Sequence, residues 1–184
     1  MDMQEEYMAM TKWLTNPEIL IYYDGRDKTY NVNTVKNKYY PRIIGKDPVT
    51  PCMIEDKGQL IGYVQFYRIE SKEYDKHNQL SLDHYKSPYG IDLFIGEVNY
   101  QNKGIGGKVI NVLIQYLFET EGADVIFIDP QTWNSRAIKC YTKSGFSPVK
   151  VLTNRELHEG KLRDNLIMNI TLEDYMQNNI SQTE

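Results

Sequence analysis

Apolar residues recur along this chain with two different periods, and the switches between them outline its elements. Met3, Tyr7, Met10 and Leu14 fall at helical spacing and predict a helix over residues 3–14. Asn16-Pro17 stops it and starts a short second turn, because proline lacks the donor that would carry a helix onward. Another helix is predicted from Asn33 to Tyr40, ended by Pro41. Residues 51–55 and 59–69 read as a hairpin around Asp56-Lys57-Gly58. Within its second strand Ile61, Tyr63, Gln65, Tyr67 and Ile69 point one way, and Leu60, Gly62, Val64 and Phe66 the other. Gln65 and Tyr67 are therefore polar exceptions sharing a face of a half-buried sheet.

Further along, Ile91 to Ile95 is an apolar strand, and Ile105, Val109, Val112, Leu113, Tyr116 and Leu117 make one stripe of a helix over 104–120. Val125 to Ile128 is a short continuous apolar run, the mark of a buried parallel strand. Strand, helix and strand then form a right-handed crossover. Asn134 suits the N-cap of the next helix and Gly145 its C′ position. Residues 146–152 and 164–171 predict a final antiparallel pair, followed by a polar, frayed tail over 175–184. The stretch 70–90 is polar, acidic and too long for a tight turn, which makes it a candidate substrate-side flap. The pattern predicts a single α/β domain over 1–174, with a mixed, mostly antiparallel central sheet and helices on both faces.

Composition narrows the class. A chain of 184 residues fits one domain with a real core. No run of about 18 apolar residues occurs, and Met1 is not followed by a basic and then apolar signal segment, so a soluble cytoplasmic protein without membrane attachment is expected. Cys52 and Cys140 suit a reducing compartment, and His77, His84 and His158 lack metal-ligand spacing, so no metal is expected. The formal net charge is −4 with no basic block, which argues against nucleic acid and leaves a cationic small molecule as the natural partner. Fifteen tyrosines are many for this length. Tyr22, Tyr23, Tyr39 and Tyr40 fall outside the predicted core, where a flat apolar face with a polar tip suits sugar-like or aminated ligands, or simply packs loops.

The strongest chemical signal is Gln101-Asn102-Lys103-Gly104-Ile105-Gly106-Gly107-Lys108, between the 91–95 strand and the following helix. Glycines let the backbone turn sharply and approach a ligand, and the free N–H groups and dipole of a helix start attract anionic oxygens. The spacing Q-x-x-G-x-G is neither the Rossmann nor the Walker pattern, and points to a pyrophosphate held by main-chain amides. Taken alone it fits an ordinary helix start equally well. A second segment, Asn134-Ser135-Arg136-Ala137-Ile138-Lys139-Cys140-Tyr141-Thr142-Lys143-Ser144-Gly145-Phe146, changes that balance. Together the two resemble the GNAT superfamily of acetyl-CoA-dependent N-acetyltransferases, through its Q-x-x-G-x-G/A signature and its N-x-x-A-x-x-x-Y-x-x-x-G-F element.

A third string, Gly90-Ile91-Asp92-Leu93-Phe94-Ile95-Gly96-Glu97, resembles the G-I/M-D-Q-F-I/L motif of aminoglycoside 6′-N-acetyltransferases, with Leu93 where glutamine is usual. Lys12-Trp13-Leu14-Thr15, Tyr23-Asp24-Gly25-Arg26-Asp27, Ile61-Gly62-Tyr63-Val64-Gln65, Asp129-Pro130 and Glu156-Leu157-His158-Glu159-Gly160-Lys161 extend the likeness to about Asp174. It implies an acetyl-CoA-dependent transferase acting on a polycationic aminoglycoside, as a monomer or homodimer. Asp92, costly to bury in mid-strand unless satisfied, would bind and deprotonate the amine. Phe94 and Ile95 would polarise the thioester through their amides, and Gln101 to Lys108 would hold the pyrophosphate. Asn134 and Ala137 would line the pantetheine arm, and Tyr141 would protonate the departing thiolate. Tyr22, Tyr23, Gln65, Tyr67 and Asp129 would line the aminoglycoside side. For Tyr141 packing, and for Asp129 a turn role before Pro130, remain open from the residues themselves. Relatives open with a strand before the first helix; here that edge strand is expected to be missing or truncated. The rival readings are acetylation of another amine, such as a siderophore precursor or a protein N-terminus, and a non-catalytic acyl-CoA-binding module.

Overall fold

The computed structural model describes residues 3–70 and 80–180. Six strands form one mixed sheet in the order β1-β2-β3-β4-β6-β5. These are β1 (Val49–Asp56), β2 (Gln59–Arg68), β3 (Pro88–Ile95), β4 (Val125–Ile128), β5 (Ser147–His158) and β6 (Lys161–Thr171). The helices are α1 (Met3–Leu14), α2 (Pro17–Leu20), α3 (Val32–Ile43), α4 (Ile105–Glu119), α5 (Ser135–Lys143) and α6 (Leu172–Ile180). β1 and β2 are antiparallel, β3 and β4 parallel, and β4 and β6 antiparallel. The parallel pair brackets α4, as the crossover pattern requires.

The chain clusters into two compact units. The first comprises residues 1–67, 92–106 and 157–161. Its core gathers Tyr7, Met10, Trp13, Leu14, Leu20, Val35, Tyr39 and Tyr63, with Tyr23, Tyr30, Met53, Leu60 and Phe94 packed against it. α1 ends and α2 begins as expected, with the Asn16 side chain accepting from the Glu18 N–H ahead of Pro17. The β1–β2 turn holds Lys57 and Gly58 both at positive φ, the geometry of a two-residue hairpin loop. Gly62 and Gly96 are required by close approach. A Cβ on Gly62 would stand 2.5 Å from the Phe94 carbonyl oxygen, and one on Gly96 would stand 2.2 Å from the Trp13 ring. Glu97 finishes this corner by accepting from Trp13 Nε1 at 2.8 Å and from Lys12 Nζ at 2.5 Å.

The second unit comprises residues 68–91, 107–156 and 162–184. β4 is buried throughout, and β6 contributes Ile167, Met168 and Ile170 to the buried set. Asp124 ties the approach to β3 by accepting from the Lys86 N–H at 2.5 Å and the Ser87 N–H at 3.1 Å. Phe118 of α4 lies against Tyr175 of α6 with ring centroids 5.1 Å apart.

Several expectations are corrected. α3 does not end at Tyr40 but continues through Pro41 to Ile43, because a proline this near the C-terminus costs only one hydrogen bond. Tyr39 is core rather than peripheral, 2% exposed. β2 is buried on both faces from Ile61 to Phe66, not half-buried. The buried stripe of α4 is Ile110, Leu113, Ile114, Leu117 and Phe118, while Val112 and Tyr116 face solvent. The stretch expected as a frayed tail forms α6 through Ile180. Of the expected 70–90 flap, residues 71–79 lie outside the described residues, while among the rest Pro88 to Gly90 already belong to β3 and Leu82 is fully buried.

The contact between Gly96 and Trp13 yields a stability test. Gly96→Ala is expected to destabilise the fold by about 1–3 kcal/mol through overpacking, read as a lower urea midpoint. An unchanged midpoint would contradict the tight contact.

Candidate active site

Asp92 is fixed by a chain of side chains within the first unit. It lies on β3, half-buried, and its Oδ2 accepts from Gln65 Nε2 at 2.7 Å. Gln65 is itself buried on β2. Its Oε1 accepts from Arg42 at 2.6 Å and from the Tyr63 hydroxyl at 2.9 Å. Two donors on the amide oxygen leave the amide nitrogen only one orientation, towards Asp92. Arg42 is also paired with Asp47 at 3.3 Å. Burial raises the pKa of Asp92, opposed by the Gln65 hydrogen bond and the Arg42 charge. The result is a held carboxylate whose proton affinity exceeds that of an exposed aspartate.

Aromatic rings surround this chain. Phe94 stacks obliquely on Tyr23 at 4.7 Å, meets Tyr63 at 5.9 Å, and takes the edge of Trp13 at 6.0 Å. Tyr39 and Tyr63 are 5.2 Å apart, edge to face. Burial pushes the Tyr63 hydroxyl up to about 12 and lifts those of Tyr23 and Tyr39 further, so all three are neutral groups at ordinary pH. An apolar wall with a fixed carboxylate beside it suits a hydrogen-bonding cation.

The glycine loop is an open turn at the start of α4. Asn102 and Gly104 both adopt positive φ, at 58° and 75°. A Cβ added to Gly104 would meet nothing within 4 Å, so the loop faces open space. The first turn of α4 carries no acidic residue, and the neighbouring Lys103 and Lys108 are exposed. Free amides, a helix dipole and two cations fit the pyrophosphate of coenzyme A. Gln101 plays a different part: its side-chain amide donates to the Ile95 carbonyl at 2.9 Å and ties the loop to the end of β3.

In the second unit, Gly107 packs close to α5, since a Cβ there would lie 3.9 Å from Cys140 Sγ. Asn134 caps α5 by accepting from the Ala137 N–H at 3.2 Å. Tyr141 is buried on that helix with its ring 6.2 Å from Phe146. Asp129 is half-buried, and its carbonyl accepts from Asn165 Nδ2 at 2.9 Å.

Of the residues expected on the substrate side, the structure thus brings Tyr23 and Gln65 together with Asp92 and Phe94. Tyr22 is exposed, and Tyr67 pairs with Val49 across the β1–β2 ladder. Arg42 and Tyr63 were not expected. Tyr63 shares its strand face with Gln65 and was open to detection. Arg42 was hidden because Pro41 suggested a helix end before it. Among the described residues no cluster of metal-binding side chains occurs, and no helix is long and apolar enough to cross a membrane.

A mixed sheet with a parallel crossover and a glycine turn at the start of the crossover helix is the frame on which the comparison with known proteins rests. Residues 2–153 match the acetyltransferase (GNAT) domain family, and the chain belongs to that family. It is 30% identical over 152 residues to aminoglycoside N(6′)-acetyltransferase type 1 of Klebsiella pneumoniae, covering 82% of this chain and 74% of that protein. Its fold matches the aminoglycoside acetyltransferase AAC(6′)-Ib crystallised with coenzyme A and kanamycin, at a TM-score of 0.72 and 24% identity over 95% of this chain and 94% of that one. The spermidine N-acetyltransferase of Vibrio cholerae, crystallised with CoA and spermine, matches at a TM-score of 0.74 and 18% identity over 96% and 94%.

Two tests follow from this geometry. Gln65→Leu removes the donor that opposes the burial of Asp92, so the carboxyl should titrate at higher pH than in the native protein. Carbon NMR of labelled aspartate would detect the upward move; an unmoved titration would break the assigned hydrogen bond. Gly104→Val places a β-branched residue at positive φ with its side chain in the cradle. Coenzyme A affinity should fall by about tenfold or more, equivalent to about 1.4 kcal/mol. Calorimetry showing native affinity would refute the cradle.

Proposed function

We propose that this acetyltransferase moves the acetyl group of acetyl-CoA to the 6′-amine of aminoglycoside antibiotics, and so confers resistance to them. The observation that carries this reading is the held Asp92 carboxylate beside the aromatic wall of Tyr23, Tyr63 and Phe94. The likeness to the Klebsiella enzyme over most of both chains supports the choice of substrate.

The acceptor must lose a proton before it attacks, because alkyl amines are mostly protonated near neutral pH. Asp92, with its raised pKa, binds the ammonium and takes that proton directly or through water. The nitrogen then bonds to the acetyl carbonyl carbon and the carbon–sulfur bond breaks. Amides of Phe94 and Ile95 stabilise the carbonyl oxygen as it gains charge, and Tyr141 gives a proton to the departing sulfur. The loop from Asn102 to Lys108 holds the pyrophosphate, with Gln101 bracing it, and Asn134 and Ala137 line the pantetheine arm. Tyr22, Tyr67 and Asp129 complete the aminoglycoside side. Acetylation removes one positive charge and one strong donor from the drug, which weakens its grip on ribosomal RNA. The working unit is a single catalytic domain over 1–174, in the cytoplasm, as a monomer or homodimer.

The decisive assay offers kanamycin, spermidine and an N-terminal peptide with acetyl-CoA, and locates the acetyl group by mass spectrometry and NMR. Acetylation of kanamycin at the 6′-amine is expected; turnover of spermidine or peptide alone would reject the reading. Asp92→Asn should lower kcat by about a hundredfold or more with coenzyme A affinity retained. Tyr141→Phe should slow turnover, and an unaffected rate would leave it a packing residue.

A further inference from the structure

Lys38 lies on α3, one turn before Arg42 and on the same face. The surroundings of the two cations differ. Arg42 is bound to Gln65 and Asp47, and its side chain is only 16% exposed. The Lys38 ammonium stands 2.7 Å from Asp24 Oδ2 and donates to the Tyr30 hydroxyl at 3.1 Å. It also lies over the faces of three rings, 5.5 Å from Tyr23, 5.4 Å from Tyr30 and 5.6 Å from Tyr39. Tyr30 in turn donates to Asp24. One carboxylate and three aromatic faces around a single charge are the chemistry of an ammonium cage.

The cage adjoins the held carboxylate. Its Tyr23 wall is the ring stacked on Phe94, and its Tyr39 wall contacts Tyr63, the donor to Gln65. A polycationic amine with one nitrogen at Asp92 therefore has a second ammonium site within the same aromatic cluster. The ion pair is partly open to solvent, with the Lys38 and Asp24 side chains 30% and 28% exposed. Lysine's four-carbon stem lets its head swing out without moving the helix.

We infer that Tyr23, Asp24, Tyr30 and Tyr39 form a second ammonium subsite for the acceptor, and that Lys38 fills it in the resting protein as a tethered competitor. The inference rests on the proposed aminoglycoside reading and deepens it. Lys38 sets a threshold: an acceptor must carry a second ammonium able to displace it, so monoamines gain nothing from the cage. A ligand that meets its competent site only part of the time binds more weakly by that fraction. Removing the competitor therefore tightens binding, whereas removing a merely structural lysine would strand Asp24 and loosen the cage.

The test compares the native protein with Lys38→Met, Asp24→Asn and the double variant. Kanamycin and spermidine are each titrated by calorimetry without acetyl-CoA, and kinetics are run in parallel. Lys38→Met should bind kanamycin about fivefold tighter, with KM lowered to match. Asp24→Asn should weaken binding, and the double variant should lose the gain. Weaker or unchanged binding by Lys38→Met of whichever amine the native protein binds overturns the inference, as does binding of neither amine to native or variant protein. Should Lys38→Met melt early, Lys38→Gln is judged by the same binding criterion. Failure of the native protein to acetylate kanamycin strikes the proposed function, whereas tighter spermidine binding by Lys38→Met would still uphold the cage.

Discussion

The hydrogen bond from Gln65 to Asp92 is the constraint on which the first unit's chemistry turns. A carboxylate among aromatic rings pays a desolvation cost that would ordinarily be relieved by protonation or by rotating away. Gln65 opposes both by presenting a donor of fixed direction, since its other end is occupied by Arg42 and Tyr63. The charge of Arg42 thus reaches Asp92 through a neutral amide rather than a direct ion pair. A direct guanidinium contact would compete with an incoming ammonium, whereas an amide leaves the second oxygen available. Proton affinity is raised by burial and orientation is secured by the relay, which are the two requirements of the base proposed for this position.

The backbone around this carboxylate has little slack. Gly62 admits the Phe94 carbonyl, and Gly96 admits the Trp13 ring, so a side chain at either place would displace the end of β3. Trp13 is tied in turn to Glu97, and Gln101 holds Ile95 from the loop side. The strand end that carries Asp92 and Phe94 is therefore clamped from its helix, its neighbouring strand and its following loop. Positioning residues held this way keep catalytic groups within the small tolerances that group transfer demands.

Tyrosines divide between two tasks in this unit. Tyr63 builds the core and lines the relay, Tyr23 and Tyr30 face a partly open ion pair, and Tyr39 does both. Their raised pKa values keep them uncharged, so the rings attract cations without adding titrating groups at neutral pH. The acidic balance of the whole chain acts at longer range and only steers.

Local chemistry made much of this protein legible from its residues. Asn16-Pro17, Lys57-Gly58 and Asn134 with Gly145 marked element ends, because capping and positive φ are decided within a few residues. The Q-x-x-G-x-G loop and Asp92 were legible because few residue types allow backbone approach to phosphate or tolerate a charge in an apolar strand. What the sequence did not reveal depended on neighbours distant along the chain. The α4 stripe turned to bury Ile110 and Ile114, since tertiary packing selects among overlapping apolar faces. Helix α3 ran past Pro41 because packing outweighed one lost bond, and this brought Arg42 to Gln65. The sequence alone determined the main element ends and set the glycine loop at a helix start and Asp92 within an apolar strand. Tertiary structure alone decided that Gln65 holds Asp92 and that Tyr23 and Tyr30 join Tyr39 around Lys38, because these contacts join residues 8 to 27 positions apart, and no local period encodes them.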